Sequence, residues 1–186
     1  MNNLRVLAVD PSGTGTTGVY YWNGKQGNFH QYQDKDWREH YWFIRSLIEK
    51  YYPDILLYET TNFISLRGKD MTSLLKLLGT VEIITLPYLA LRTETIPVDQ
   101  VKRLKSKLLK GEAQITGLEY KKGIGWHHNR KKISTHELDA YLVYWLWQTK
   151  LGENKAKTTP KTKLVSKTIS KPKSKAELKQ NLREND

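Results

Sequence analysis

Cysteine is absent from this 186-residue chain. Structural disulfides, thiolate zinc sites and cysteine nucleophiles are thereby excluded. No apolar stretch approaches the ~20 residues needed to cross a bilayer. Met1-Asn2-Asn3-Leu4-Arg5 leads straight into a short apolar run, without the long h-region and small-residue cleavage site of a secretory signal. A soluble, cytoplasmic protein with no membrane partner is the expectation. Acids are scarce beside bases: 19 Asp+Glu against 31 Lys+Arg leave a formal charge of +12. What the chain has in quantity is aromatic area, with six Trp and eleven Tyr inside a hydrophobic content of 38%. That is enough for a core, much of it polar-tipped. The size supports one ordinary domain plus an appendage.

The composition changes near Lys150. Residues 151–186 hold ten basic and four acidic residues, two Pro and no aromatics, and such a segment cannot bury enough surface to order itself. The chain is therefore divided into a folded domain, 1–150, and a Lys-rich disordered tail, 151–186. The domain is basic in its own right, chiefly between Lys102 and Lys132, where ten Lys/Arg are accompanied only by Glu112 and Glu119 as acids. Lys102, Arg103, Lys105, Lys107, Lys121, Lys122, Arg130, Lys131 and Lys132 are the candidates for phosphate contact. Such contacts give salt-dependent affinity and little sequence discrimination.

Leu4 to Val9 is a nearly continuous apolar run ending in Asp10, the pattern of a buried central strand. Pro11 to Gly18 is a Gly/Thr-rich turn, followed by Val19 to Trp22, a turn at Gly24, and Asn28 to Gln33. Three strands in an antiparallel meander are expected. Trp37, Tyr41, Ile44, Ile48 and Tyr51 fall on one helical face, Pro53 stops that helix, and Ile55 to Tyr58 forms a second buried strand ending in Glu59. A strand reached through a helical crossover lies parallel to its predecessor. Asp10 and Glu59 then meet at the carboxyl edge, where open α/β sheets place their ligands. Further elements are a helix from about Asp70 to Leu89 with Pro87 near its end, a short strand Thr93 to Ile96, a helix Val98 to Leu109, and a final helix Thr135 to Gln148 that is apolar nearly all round. The basic stretch 110–133 shows no clear period and is expected to be a loop or mobile arm.

Asp10, Glu59 and Asp139 each terminate or open a strongly apolar element, which packing alone rarely requires of a charge. Carboxylates brought close together repel and protonate unless a cation neutralises them. Hard oxygen ligands suit Mg²⁺ or Mn²⁺. Ser134 and Glu137 fit a capping box, leaving Glu137 a structural role. His136 and Asp139, three apart, share a face; Asp139 is the candidate ligand, and His136 a second ligand or a group that orients water.

The segments Leu7-Ala8-Val9-Asp10-Pro11-Ser12-Gly13, Leu56-Leu57-Tyr58-Glu59, Ser73 to Gly79, Pro97-Val98-Asp99-Gln100-Val101-Lys102 and His136-Glu137-Leu138-Asp139-Ala140 resemble, in this order, the RuvC-type Holliday junction resolvases. The resemblance covers about residues 4–148 and implies an α/β, ribonuclease-H-like mixed five-stranded sheet flanked by helices. It also implies a homodimer, and two-metal hydrolysis with two Mg²⁺ per site, Mn²⁺ substituting, that cuts a four-way DNA junction on opposing strands. Asp10, Glu59, His136 and Asp139 match the family's catalytic, metal-holding positions, although some members have an acid in place of His136. Phe63 lies near the place of the family's strand-separating aromatic, and Arg67 and Lys69 stand where crossover strands would pass. Symmetric nicking needs two sites related by a two-fold axis, with Leu74, Leu75, Leu77, Leu78, Val81 and Ile84 as the expected interface.

Three other classes compete. The turn Gly13 to Gly18 looks like the phosphate loop of sugar and acetate kinases, but those enzymes need two large lobes, which the ordered part of this chain is too short to form. A non-catalytic nucleic-acid-binding protein would gain by losing acids near phosphate. A related nuclease acting on flaps, forks or RNA–DNA hybrids shares the same metal chemistry and stays open.

Overall fold

The computed structural model describes residues 4–60, 69–84 and 90–158. Strands β1 (Val6–Asp10), β2 (Thr16–Trp22) and β3 (Gly27–Gln33) form the expected antiparallel meander. Val6 to Val9 are all buried because β1 is central and covered on both faces: Val6 and Ala8 join one core, Leu7 and Val9 the other. Helix α1 (Trp37–Tyr51) starts at Asp36, whose side chain accepts the Arg38 N–H at 3.0 Å, and ends where Tyr52 turns left-handed at φ 45°.

After this crossover β4 (Ile55–Thr60) runs parallel to β1, with Val9 opposite Tyr58. Helix α2 (Lys69–Ile83) then leads to β5 (Arg92–Pro97), parallel to β4, and α3 (Val98–Leu109) follows directly. The sheet order β3-β2-β1-β4-β5 is that of a ribonuclease-H-like fold. Helices α1 and α2 cover one face, while α3 and α4 (Thr135–Thr158) cover the other.

Four expectations need correction or trimming. The stretch 110–133 is not a loop: β6 (Leu118–Lys121), β7 (Gly125–His128) and β8 (Lys131–Lys132) make a small antiparallel sheet. Its periodicity is hidden because few residues there are fully buried, Trp126, Ile133 and, just before the sheet, Ile115, with Leu118 and Ala113 partly buried against the α4 side of the core. The final helix passes Gln148 and Lys150 to reach Thr158, so the boundary at 150 falls inside a helix. A segment too polar to build a core still extends an existing helix, since propagation carries no nucleation cost. Helix α2 ends at Ile83; Pro87 and the remainder of the expected helix lie outside the described residues, as does the tail 159–186. Leu77, Val81 and Ile84, expected at a dimer interface, are buried in this chain's own core beneath α1. Among the described residues no helix is long and apolar enough to cross a membrane.

Candidate active site

The sheet delivers two carboxylates to one edge. Asp10 ends β1 and Glu59 comes one residue after Tyr58, the partner of Val9 in the parallel register. The N-terminus of α4 is fixed beside them by a capping box: Ser134 N–H donates to Glu137 Oε2 at 2.7 Å, and Glu137 N–H donates to Ser134 Oγ at 3.1 Å. Gly18 on β2 permits this docking, because a Cβ there would run into the backbone carbonyl of His136. One cavity of about 280 Å³ is therefore lined by Asp10, Glu59, His136 and Asp139 together with Lys102 and Lys105 of α3.

The turn after Asp10 is held from beneath. Thr17, fully buried, accepts the Ser12 N–H at 3.0 Å and lies 2.9 Å from Nδ1 of His40, which is equally buried. His40 Nε2 donates to the Asp34 carbonyl at 3.0 Å, and its Nδ1 faces the Thr17 hydroxyl. Ser12 Oγ accepts the Gly15 N–H at 2.9 Å, and Gly13 lies so close to the backbone of Ser73 and Leu74 that no side chain fits. These contacts hold the turn that follows Asp10, and Ser12 itself lines the cavity. Sequence inspection alone singles out neither Thr17 nor His40, because a buried Thr–His pair 23 residues apart leaves no local pattern.

Charge in the cavity is unevenly compensated. His136 Nδ1 donates to Asp10 Oδ2 at 3.0 Å, and this bond raises the imidazole's pKa against the lowering effect of burial. Burial raises Asp10, with Asp139 adding repulsion, while His136 and Lys105 pull it down. Glu59 is pushed up to about 8, first by burial and then by Asp10 and Asp139. Lys105 Nζ donates to both oxygens of Asp139 at 2.8 Å.

Three oxyanions and an imidazole are the donor types of a hard divalent cation. The raised carboxyls and the lysine on Asp139 show a cluster that wants positive charge. The donor set fits such an ion in kind. Its present spacing does not cage one: among the described residues no three His, Asp or Glu groups stand close enough to hold a metal as they are. Lys105 serves as the cation for Asp139 instead.

The other sequence candidates are dispersed. Arg103 pairs with Asp99 at 2.9 Å on the solvent side of α3, and Lys107 is exposed in its last turn. Lys121 and Lys122 sit at the β6–β7 hairpin, Lys121 within 3.5 Å of Glu119, while Arg130, Lys131 and Lys132 occupy the β7–β8 turn and β8, all exposed. Phe63 and Arg67 lie outside the described residues, and Lys69 is described only as the first residue of α2.

Neither a family sequence model nor a curated protein sequence matches the chain. Solved structures do. Thermus thermophilus RuvC in complex with a Holliday junction substrate shares the fold at a TM-score of 0.54 with 14% identity, over 80% of this chain and 97% of that one. Another T. thermophilus RuvC structure matches at 0.52 with 16% identity and the same coverage. The yeast mitochondrial Holliday junction resolvase Ydc2 aligns at 0.43 with 11% identity, over 83% of this chain and 84% of that one. The chain thus has the RuvC-like, ribonuclease-H-type fold. At such identities the likeness establishes architecture, and chemistry has to be argued from the site.

Proposed function

We propose that the chain is a structure-selective DNA endonuclease that resolves four-way junctions, acting as a homodimer and leaving 5′-phosphate and 3′-hydroxyl ends. The observation that carries this is the meeting of Asp10, Glu59, His136 and Asp139 in one cavity flanked by Lys102 and Lys105. Asp10, Glu59 and Asp139 would hold magnesium or manganese, with His136 as a further ligand or a group orienting water. Bound there, the ions supply water activation and neutralise charge on the leaving oxygen.

The chain's own residues do the rest. His136 orients the Asp10 carboxylate through its Nδ1–H. Glu59 must lose the proton that burial favours before it can act as a ligand. Lys105 must release Asp139 for that carboxylate to take part, and its ammonium is then free for a phosphate oxygen. Lys102, Arg103 and Lys107 extend this basic face along α3, with Lys121, Lys122, Arg130, Lys131 and Lys132 on the small sheet as further phosphate contacts. The fold neighbour in complex with a Holliday junction substrate supports the choice of branched DNA.

The test is Mg²⁺-dependent cutting of a mobile four-way junction beside duplex, flap and RNA–DNA hybrid controls. Wild type cuts the junction preferentially, and Asp10→Asn and Asp139→Asn each abolish cutting while binding persists. Full activity in both variants would overturn the assignment, and a strictly monomeric sedimentation profile with and without junction would overturn the pairing.

A further inference from the structure

Two further cavities lie between β3 and α4, the nearer one adjoining the carboxylate cavity. The nearer, of about 530 Å³, shares Thr16 and His136 with the carboxylate cavity and is otherwise lined by Gln31, Gln33, Ser134 and Thr135. The other, the largest of the three at about 720 Å³, begins at Phe29 and His30 on the same strand and at Tyr141 on the same helix. At roughly 3.4 Å per strand residue, Gln33 and Phe29 are about 14 Å apart. The sequence marks none of this, because the lining comes from β2, β3, α1, α4 and the turn of the small sheet.

The chemistry of the two outer cavities is distinctive. Neither has a carboxylate among its lining residues, in a chain with 19 acids. Apart from the His136 imidazole, the nearer cavity offers only amides and hydroxyls. The large one has an aromatic floor: Phe29 and His128 rings meet edge-on at 5.3 Å, His128 and Tyr141 at 4.7 Å, and Tyr20 lies 5.0 Å from both Phe29 and Tyr141. Burial lowers the pKa of His128, so its ring is a neutral flat surface at neutral pH. Exposed Lys25, Lys131, Asn28 and Asn129 stand at the rim. Gly27 keeps this side open, since a side chain there would collide with the Tyr20 ring.

Flat rings, amides and lysines without an acid are the components of sequence-tolerant single-strand binding, in which bases stack and cations track the backbone. A cavity of this size takes one compact ligand group, within the ~300–1,000 Å³ of small-molecule sites, and not a double helix. Lys25, on the β2–β3 turn, and Lys131, the first residue of β8, both line this cavity, from separate elements.

We propose that this groove takes an unpaired DNA strand leaving the carboxylate site, with a base stacked on one ring of the edge-on Phe29–His128 pair and against the edge of the other, and its phosphates against Lys25 and Lys131. The proposal rests on the nuclease reading only for the strand's starting point. It makes the substrate class a junction or fork with unpaired nucleotides next to the cut, in preference to a fully paired duplex.

Fluorescence anisotropy of the full chain in EDTA, with a labelled oligothymidylate and a duplex of equal length at one stated salt concentration, tests it. The double variant Phe29→Leu, His128→Ala removes both ring faces while Leu keeps position 29 apolar. Its single-strand affinity is expected to fall about tenfold, or 1.4 kcal/mol, against less than about twofold for duplex, as loss of one stacked base predicts. Unchanged single-strand binding, or an equal loss on both ligands, would overturn the groove. If circular dichroism shows that variant unfolded, Lys25→Gln carries the same test: the salt slope for single strands falls by about 0.7 and that for duplex does not. Equal slopes before and after would overturn it. Because metal is absent, cutting plays no part. A chain that never cuts yet loses single-strand affinity in these variants would sink the nuclease reading and leave the groove. One that cuts junctions with single-strand affinity unaltered would do the reverse.

Discussion

Replacing Glu59 by Gln is expected to stabilise the metal-free protein in a pH-dependent way. The fold holds this carboxyl at about 8, against an ordinary 4.5, because burial disfavours its charge and Asp10 and Asp139 repel it more than Lys102 and Lys105 attract it. Between those two values the folded chain binds more protons at Glu59 than the unfolded chain does, so wild-type stability falls as pH rises through that window. Glutamine resembles the protonated acid and ionises in neither state. The two proteins are then equally stable below about pH 4.5, diverge above it, and differ by a constant amount beyond about pH 8. At 1.36 kcal/mol per unit the full shift is worth about 5 kcal/mol. Relaxation and water entry act against so large a penalty, and about 2 kcal/mol is expected, or roughly 4–8 °C in Tm for a chain of this length. Thermal melts by circular dichroism in EDTA at the two ends of the window measure it. Equal melting temperatures at the high end would refute the electrostatic account. So would a gain at the low end as large as at the high one.

Gly18→Ala places a methyl group against the His136 carbonyl. It is expected to cost about 1–3 kcal/mol in urea denaturation and to reduce junction cutting, since His136 and Asp139 move together; unchanged cutting would show that the close approach does not set the site. Thr17→Val removes the hydroxyl between Ser12 N–H and His40 Nδ1. Leaving those buried groups unpaired is expected to cost about 1–3 kcal/mol, and a variant as stable as wild type in urea would show that the network contributes nothing.

Much of the architecture was legible because long apolar elements carry a strong period. The apolar run Leu4 to Val9, the helical face of Trp37 to Tyr51, and the crossover to Ile55 together define the central topology, and the order of turns follows from Gly, Pro and Asp punctuation. The capping box at Ser134 was legible for the same reason, being a short-range pattern with one geometry. The small sheet was not, although its turns are marked. Gly123 at φ 79° closes a three-residue hairpin, and Asn129 and Arg130, at φ 49° and 69°, form a two-residue turn of the type hairpins favour. Strands of four, four and two residues are too short for alternation to stand out from a run of lysines. Of the site, strand-end and helix-start acids were visible. The ammonium of Lys105 on Asp139 was not, since a contact spanning 34 residues is decided by how α3 packs on α4.

Helix α4 carries His136 and Asp139 in its first turns and is still helical at Thr158. At 1.5 Å per residue, Asp139 and Thr158 are separated by roughly 28 Å along a stiff rod. The lysine-rich remainder of the sequence is thus tethered at the opposite end of the lever from the acids.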